Sequence, residues 1–474
     1  MQKPRIGLLP FYIELYDLTM PEIRPSIDAF HEQVAQRLEE QDLDIVQTKV
    51  CRVACEFEEA VQYFRDQDVD AVVTLHLAYS PSLESSEALK KLDVPILVLD
   101  TTPDYVYDQT TDAGALMLNH GIHGVQDMCN LLRRNGKCFR VYAGHMEHSD
   151  VMHRIAGAAK AAMMGRALKT AKVGLVGEPF AGMGDFALPF EEMRRDLGVQ
   201  VVDYNFEEGR KRIDAITETE VQQEFEEDSK QFVIDPDLSR KVYDRSAKVC
   251  LAIRKWIEEE KLSALSINYL ETEGSNPGLP VMPFVECSKA MGRGIGYAGE
   301  GDVLTAALTG ALLRGFEDVT FTEMFCPNWQ DGSIFLSHMG EFNYKIGDGK
   351  PMLEEKPFPF TNSGNPTVAY KSMKPGRALI VNLAPFGNGK YLMSIVPGQI
   401  LRIEGRNTME HAVNGWFQPD MPLDRMLERF SEVGASHHSV LVYEEGTQVL
   451  EEFADFSGIE KIVFKNEKPN LFTK

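Results

Sequence analysis

The sequence predicts an α/β protein: two doubly wound parallel-sheet α/β domains followed by a mainly β, barrel-like C-terminal domain. Three observations carry that expectation. Short apolar runs alternate with amphipathic helical stretches through the first third, and the alternation restarts near residue 170. From about Phe316 it gives way to β-type periodicity punctuated by Gly, Pro and Asn. At roughly 100–200 residues per domain, 474 residues suit a division into 1–170, 171–317 and 318–474.

Each element follows from its local pattern. Arg5–Pro10, Asp44–Val50, Ala71–Leu77, Pro95–Asp100 and Phe139–Gly144 are rich in Val, Ile and Leu, as strands of a buried parallel sheet are. Between them, SIDAFHEQVAQRLEEQ and FEEAVQYFRDQ place apolar residues at helical spacing. Such alternation implies right-handed βαβ crossovers. A helix runs from about Asp150 to Lys169. Buried strands return at Lys172–Pro179, Val199–Asn205 and Ala264–Leu270. The segment Ser239–Glu260 sets Val242, Val249, Ile253, Trp256 and Ile257 largely on one helical face. In the last third, RALIVNLAPF, KYLMSIVPGQILRIEG and SVLVYEE read as strands, and helical patterning is scarce until Met421–Gly434.

Composition narrows the function classes. With 43% apolar and 26% charged residues, every domain can bury a core. Acidic residues outnumber basic ones 72 to 49, a net charge of −23, which argues against binding nucleic acid through phosphates. No apolar run approaches the roughly 18 residues of a membrane-spanning helix. The N-terminal run MQKPRIGLLPFYIELYD has acids and a proline where a signal peptide needs an uninterrupted apolar stretch. Seven cysteines make no disulfide framework. Cys51 and Cys55 lack partners at metal-finger spacing and read as buried thiols. These features predict a cytoplasmic enzyme.

Four features between Tyr297 and His438 bear on chemistry. YAGEGD puts Glu300 on a glycine-flanked loop at a helix start, with Asp302 placed to cap that helix. VTFTEMF interrupts a β-patterned run with Glu323, and IFLSHMGEFN sets His338 after three apolar residues. VGASHHSVLVY carries a His437–His438 pair into a strand, where neighbours point to opposite faces, so only one can readily enter a given site. Taken singly, Glu323 reads as a solvent-facing strand residue and His338 as a core histidine. Together they supply two carboxylates and two imidazoles, a donor set suited to Mn²⁺ or Co²⁺ rather than to a structural zinc. AGMGDF (Ala181–Phe186) is a further glycine-rich loop, centred on Met183, that either lines a hydroxyl-rich pocket or is a plain connection. It is not a dinucleotide fingerprint.

The stretch from Leu279 onward resembles the L-arabinose isomerase family, within the L-fucose/L-arabinose isomerase superfamily. LPVMPFVECSKAMGRGIGYAGEGDVLTAAL, TFTEMF, FLSHMGE and GASHHSV match the family's motifs in order and approximate spacing. The resemblance puts the family's metal ligands on Glu300, Glu323, His338 and His438. Upstream, LNHGIHGVQDM is similar to the family's N-Q-T-A-H-G-G segment, keeping Asn119, His123 and Gly124, with His120 in place of glutamine. There the resemblance implies that His123 completes a sugar pocket, often a neighbouring subunit's. FYIELYD lacks the family's S-Q-H-L-Y-G pattern and retains mainly Leu15 and Tyr16.

A metal-dependent aldose–ketose isomerase acting on a pentose or hexose is the function so implied. Glu300 and Glu323 would move protons between C1 and C2, and His123, Leu15 and Met183 would contact the sugar. The resemblance also implies a homo-oligomer, trimer-based and up to a hexamer, with sites at subunit junctions. The alternatives are a related metal-dependent epimerase and a non-catalytic sugar-binding or regulatory protein.

Overall fold

The computed structural model describes residues 2–465, which divide into two compact units between Arg166 and Ala167. In the first unit, β1 (Arg5–Phe11), β2 (Asp44–Gln47), β3 (Ala71–His76), β4 (Ile96–Asp100) and β5 (Phe139–Ala143) form one parallel sheet in the order β2-β1-β3-β4-β5. All five expected strands are present. Registered neighbours on a parallel sheet share a face, so Leu9 of β1, Val72 of β3 and Ile96 and Val98 of β4 build one apolar surface. Phe57 and Phe64 of the helix Ala54–Asp66, Leu89 of Ser82–Lys90 and Leu132 of Ile122–Arg134 cover it. The strand order reverses between β1 and β3, where doubly wound sheets place ligands at the carboxyl ends. Phe11 and His76 stack there, ring centroids 4.5 Å apart.

The second unit contains a parallel sheet and a barrel. β6 (Lys172–Val176), β7 (Gln200–Asp203), β9 (Ala264–Ile267) and β10 (Gly296–Gly299) run parallel in the order β10-β9-β6-β7, while β8 (Val233–Ile234) lies outside this sheet. The helix expected over Ser239–Glu260 spans Arg240–Glu260, with Trp256 and Ile257 buried. Later strands are β11 (Val319–Asn328), β12 (Ser333–Ser337), β13 (Met352–Glu355), β14 (Thr367–Tyr370), β15 (Gly376–Gly387), β16 (Lys390–Ile400), β17 (Gly415–Pro419), β18 (His438–Val442) and β19 (Glu460–Val463). Antiparallel pairing follows β15-β18-β11-β12-β17-β16, and β15 pairs again with β16. The sheet thus closes on itself as a six-stranded barrel, which removes its open edges. β19 adds to β16 in parallel, and β14-β13-β8 form a small separate sheet. A helix that periodicity did not single out, Gln448–Ser457, precedes β19. Among the described residues, no helix is long and apolar enough to cross a membrane.

The helix Val303–Gly315 joins the two layers of this unit. Its sequence, VLTAALTGALLRG, is apolar all round, and every residue except Arg314 is buried. It packs on β9 and β10 on one side and on β11, β15 and β18 on the other. A Cβ on Gly296 of β10 would lie 2.3 Å from both Ala306 O and Gly310 N, so backbone approaches backbone there. Gly296→Ala should therefore displace the helix and cost about 1–3 kcal/mol of overpacking. Urea unfolding measures it, and an unchanged midpoint would show that the contact yields.

Candidate functional site

β10 delivers the chain to the site through a strained turn. After Gly299, Glu300 adopts φ +62° and Gly301 φ +82°, and Asp302 caps the helix Val303–Gly315 by accepting from the Thr305 N–H at 2.9 Å. Left-handed backbone is unfavourable for a side-chain-bearing residue and needs local support. Glu300 N–H donates to Ile267 O at 2.9 Å, and Glu300 O accepts from Phe180 N–H at 2.9 Å. The flanking glycines are steric requirements: a Cβ on Gly299 would lie 2.8 Å from His338 Cε1, and one on Gly301 2.6 Å from Pro179 Cα.

The barrel supplies the opposing groups by register. Glu323 of β11 pairs directly with His438 of β18 on one side and with Ser337 of β12 on the other. Directly opposed antiparallel residues share a face, and Glu323 Oε1 lies 3.0 Å from His438 Nε2. Glu300 Oε2 comes within 3.6 Å of the same nitrogen. The His438 ring is fully buried, stacked on Phe186 at 5.0 Å and met edge-on by Phe321. Its Nδ1 bonds Asp302 Oδ2 at 2.9 Å, so Asp302 both caps the helix and orients His438. His338, just beyond β12, bonds Glu341 Oε2 through Nδ1 at 2.6 Å, and Tyr297 O–H donates to the other oxygen of Glu341 at 2.7 Å. The His338 and His438 ring centroids are 6.2 Å apart.

The electrostatics favour a cation. Burial opposes a charged His438, but the carboxylates of Asp302, Glu300 and Glu323 outweigh it and raise its pKa well above the ordinary 6.5. His338 is raised as well, burial again being overcome by Glu341. Glu323 is lowered despite its burial, because His438 and the other imidazoles favour its charged form. A cluster that draws protons in this way also draws metal ions. His438 Nε2 lies close to Glu323 Oε1 and Glu300 Oε2, but neither it nor Glu300 Oε2 makes a well-aligned hydrogen bond, although both are buried. Orphaned donor atoms of this kind fit a divalent ion.

His437 departs from expectation. Strand alternation predicts that it points away from His438. Instead Glu300, Glu323, His437 and His438 each place a ligand atom within 4.8 Å of the others. The physical reason is that β18 begins at His438, so His437 is not a strand residue and alternation does not govern it. Its Nδ1 lies 2.6 Å from Asp185 Oδ2, its N–H donates to the same oxygen at 3.0 Å, and its Nε2 is 3.6 Å from Glu323 Oε1. His338 falls outside that tight set. Asp185 and Phe186 bring the loop Ala181–Phe186 to the site. Met183 is half-buried on the same loop, its N–H donating to Phe180 O at 3.2 Å.

The other expected sugar contacts belong to the first unit. Leu15 is exposed on the short helix Glu14–Thr19, and His123 is exposed at the start of Ile122–Arg134. His123 meets His120 edge-on at 5.9 Å. His120 Nε2 lies 3.0 Å from Tyr16 Oη, while its Nδ1 lies 3.0 Å from Leu116 O.

Residues 191–314 match the description "L-arabinose isomerase central domain" and residues 318–460 "L-arabinose isomerase C-terminal domain". The L-arabinose isomerase of Shouchella clausii (strain KSM-K16) is 25% identical over 430 residues, covering 88% of this chain and 86% of its own. That of Halalkalibacterium halodurans is 24% identical over 434 residues, covering 86% and 82%. The chain belongs to the L-arabinose isomerase family, as a divergent member. With that family it is an intramolecular oxidoreductase of the aldose–ketose isomerase class. Among solved structures, a periplasmic solute-binding protein from Actinobacillus succinogenes 130z with bound D-allose aligns at 14% identity over 66% of this chain and 92% of that one, with a TM-score of only 0.18. Within the family frame, sequence reasoning missed Asp185, Phe186, Glu341 and the inward turn of His437. Two signals were available: the glycine-rich loop Ala181–Phe186, singled out as a pocket candidate without roles for Asp185 and Phe186, and the spacing of His338 and Glu341, three residues apart in HMGE.

Proposed function

We propose that this family member interconverts an aldose and a ketose, pentose or hexose, with a divalent ion, Mn²⁺ or Co²⁺, held by Glu300, Glu323, His338 and His438. The observation that supports this most is the orphaned pair of buried atoms, His438 Nε2 and Glu300 Oε2, beside Glu323 Oε1. A buried polar atom left unpaired costs about 1–3 kcal/mol, and a cation would satisfy both. When bound, the ion supplies Lewis-acid polarisation of the sugar carbonyl and stabilises enediolate charge.

The chain's own groups divide the remaining work. His338 and His438 each commit Nδ1 to a carboxylate, Glu341 and Asp302, which fixes the ring and leaves Nε2 for ligation. Glu300 and Glu323 move the proton between C1 and C2 as acid and base. His123, Leu15 and Met183 contact the sugar. We place the protein in the cytoplasm as a trimer-based homo-oligomer with sites completed at subunit junctions, and its domain limits at 1–170, 171–317 and 318–474. The two domain descriptions, which meet between residues 314 and 318, support the second limit. Pentoses and hexoses incubated with the Mn²⁺-loaded protein should yield the matching ketose or aldose for at least one sugar. Sugar binding without any interconversion would reject the assignment.

A further inference from the structure

The loop Ala181–Phe186 carries two features that the isomerase assignment leaves unused. Phe186 stacks on His438 with the rings 8° from parallel. Asp185 takes two hydrogen bonds from His437, one from the backbone N–H at 3.0 Å and one from Nδ1 at 2.6 Å, both on Oδ2. A carboxylate only accepts, so Nδ1 carries the proton in the second bond, and the neutral imidazole, the form that ligates metal, then has its lone pair on Nε2. That nitrogen turns towards the cluster, 3.6 Å from Glu323 Oε1. The backbone bond matters as well, because it holds the residue before β18 in the conformation that turns both histidines of the pair to one side. The rings of His437 and His438 are 4.3 Å apart as a result.

We propose that His437 is a fifth protein group of the metal centre and that Asp185 is the positioning residue that presents it. The inference rests on the metal reading above and adds to it a donor with a different character. His338 and His438 are almost wholly buried, whereas the His437 side chain keeps 42% of its exposure. It therefore lies on the open side of the cluster, where a displaceable donor can hold the ion before a sugar hydroxyl takes its place. The same carboxylate–imidazole pairing occurs at each of the three histidines, through Asp302 on His438, Asp185 on His437 and Glu341 on His338. Such partners orient ligating imidazoles and raise their basicity.

Mn²⁺ alone, titrated into the metal-stripped full chain with free ion counted by electron paramagnetic resonance, tests this without turnover. Asp185→Ala should weaken Mn²⁺ binding about 10–100-fold, the range found when the carboxylate behind a ligating histidine is removed. Asp185→Glu should recover part of that loss, which a general loosening of the loop would not allow. His437→Ala should lose at least as much, and the double variant Asp185→Ala/His437→Ala no more than His437→Ala, because the carboxylate acts through the imidazole. Unchanged Mn²⁺ affinity in Asp185→Ala and His437→Ala, alongside weakened binding in His438→Ala, would overturn this inference and leave the metal centre standing. Unchanged affinity in His438→Ala as well would overturn both.

Discussion

Replacing Glu300 or Glu323 with glutamine is expected to lower kcat for aldose–ketose interconversion by about 10²–10⁴-fold, with a much smaller change in KM. Glutamine keeps the length and outline of the side chain but cannot cycle a proton, so the substitution separates proton transfer from binding. Neither residue is free to be replaced functionally by a neighbour. Glu300 is locked by its left-handed backbone and by bonds to Ile267 and Phe180, and Glu323 by its register opposite His438. Loss of a metal-binding oxygen would deepen the effect, so the comparison belongs at saturating Mn²⁺ with bound metal counted. His123→Ala should behave in the opposite way, raising KM more than it lowers kcat, because its exposed imidazole is assigned to hydroxyl recognition. Steady-state kinetics on the preferred sugar decide both. A glutamine variant that retains kcat removes that carboxylate from proton transfer.

Why some of this was readable in the sequence and some was not has a physical basis. Runs such as AVVTLHL and PILVLD can be little other than doubly buried strands, and the three central strands of the first sheet fall on such runs, while the edge strands β2 and β5 are partly exposed. Barrel closure was legible only as a tendency: β15–β16 is a local hairpin, but the ring also needs β15–β18, β11–β18 and β12–β17, which pair segments far apart in the chain. At the site, Glu300 announced itself through steric demand. Two glycines around a glutamate are unexplained by capping alone, and the structure gives each a neighbour that forbids a side chain. His437 was misread because alternation holds only inside a strand, and the strand starts one residue later. Asp185 sits in a glycine-rich loop that was legible as a pocket candidate, but its role was not, because its partner lies 252 residues away and only the tertiary fold brings them together.

Stripping the divalent ion should expose a loss of stability with rising pH that the loaded protein does not share. In the metal-free chain, burial disfavours a charged His438, yet Asp302, Glu300 and Glu323 hold its pKa well above 6.5, and Glu341 raises that of His338. A group whose folded pKa is raised contributes stability that is fully present below its unfolded pKa. That contribution is lost as pH climbs through the folded value. Each such imidazole then costs up to about 1.4 kcal/mol per pH unit across the window that opens near pH 6.5. The lowered Glu323 acts in the other sense and at lower pH: its contribution is present above the unfolded carboxylate value of 4.5 and fades only as pH falls through its folded one. These two imidazoles should therefore make the metal-free protein weaken as pH rises from about 6.5 to 8.5, whereas below 6.5 the buried His76 and His31 and the half-buried His120, whose pKa values burial lowers, act in the opposite sense. Ligation requires the same imidazoles without their protons, so Mn²⁺ affinity should climb over that window, by up to about tenfold per pH unit for each proton displaced. Excess Mn²⁺ should then flatten or reverse the decline, because the ion takes over the carboxylates as the protons leave. Urea midpoints across this range, with EDTA and with Mn²⁺, separate the two curves. A metal-free protein that gains stability on going to pH 8.5 would show that the carboxylates do not hold these imidazoles protonated in the folded chain.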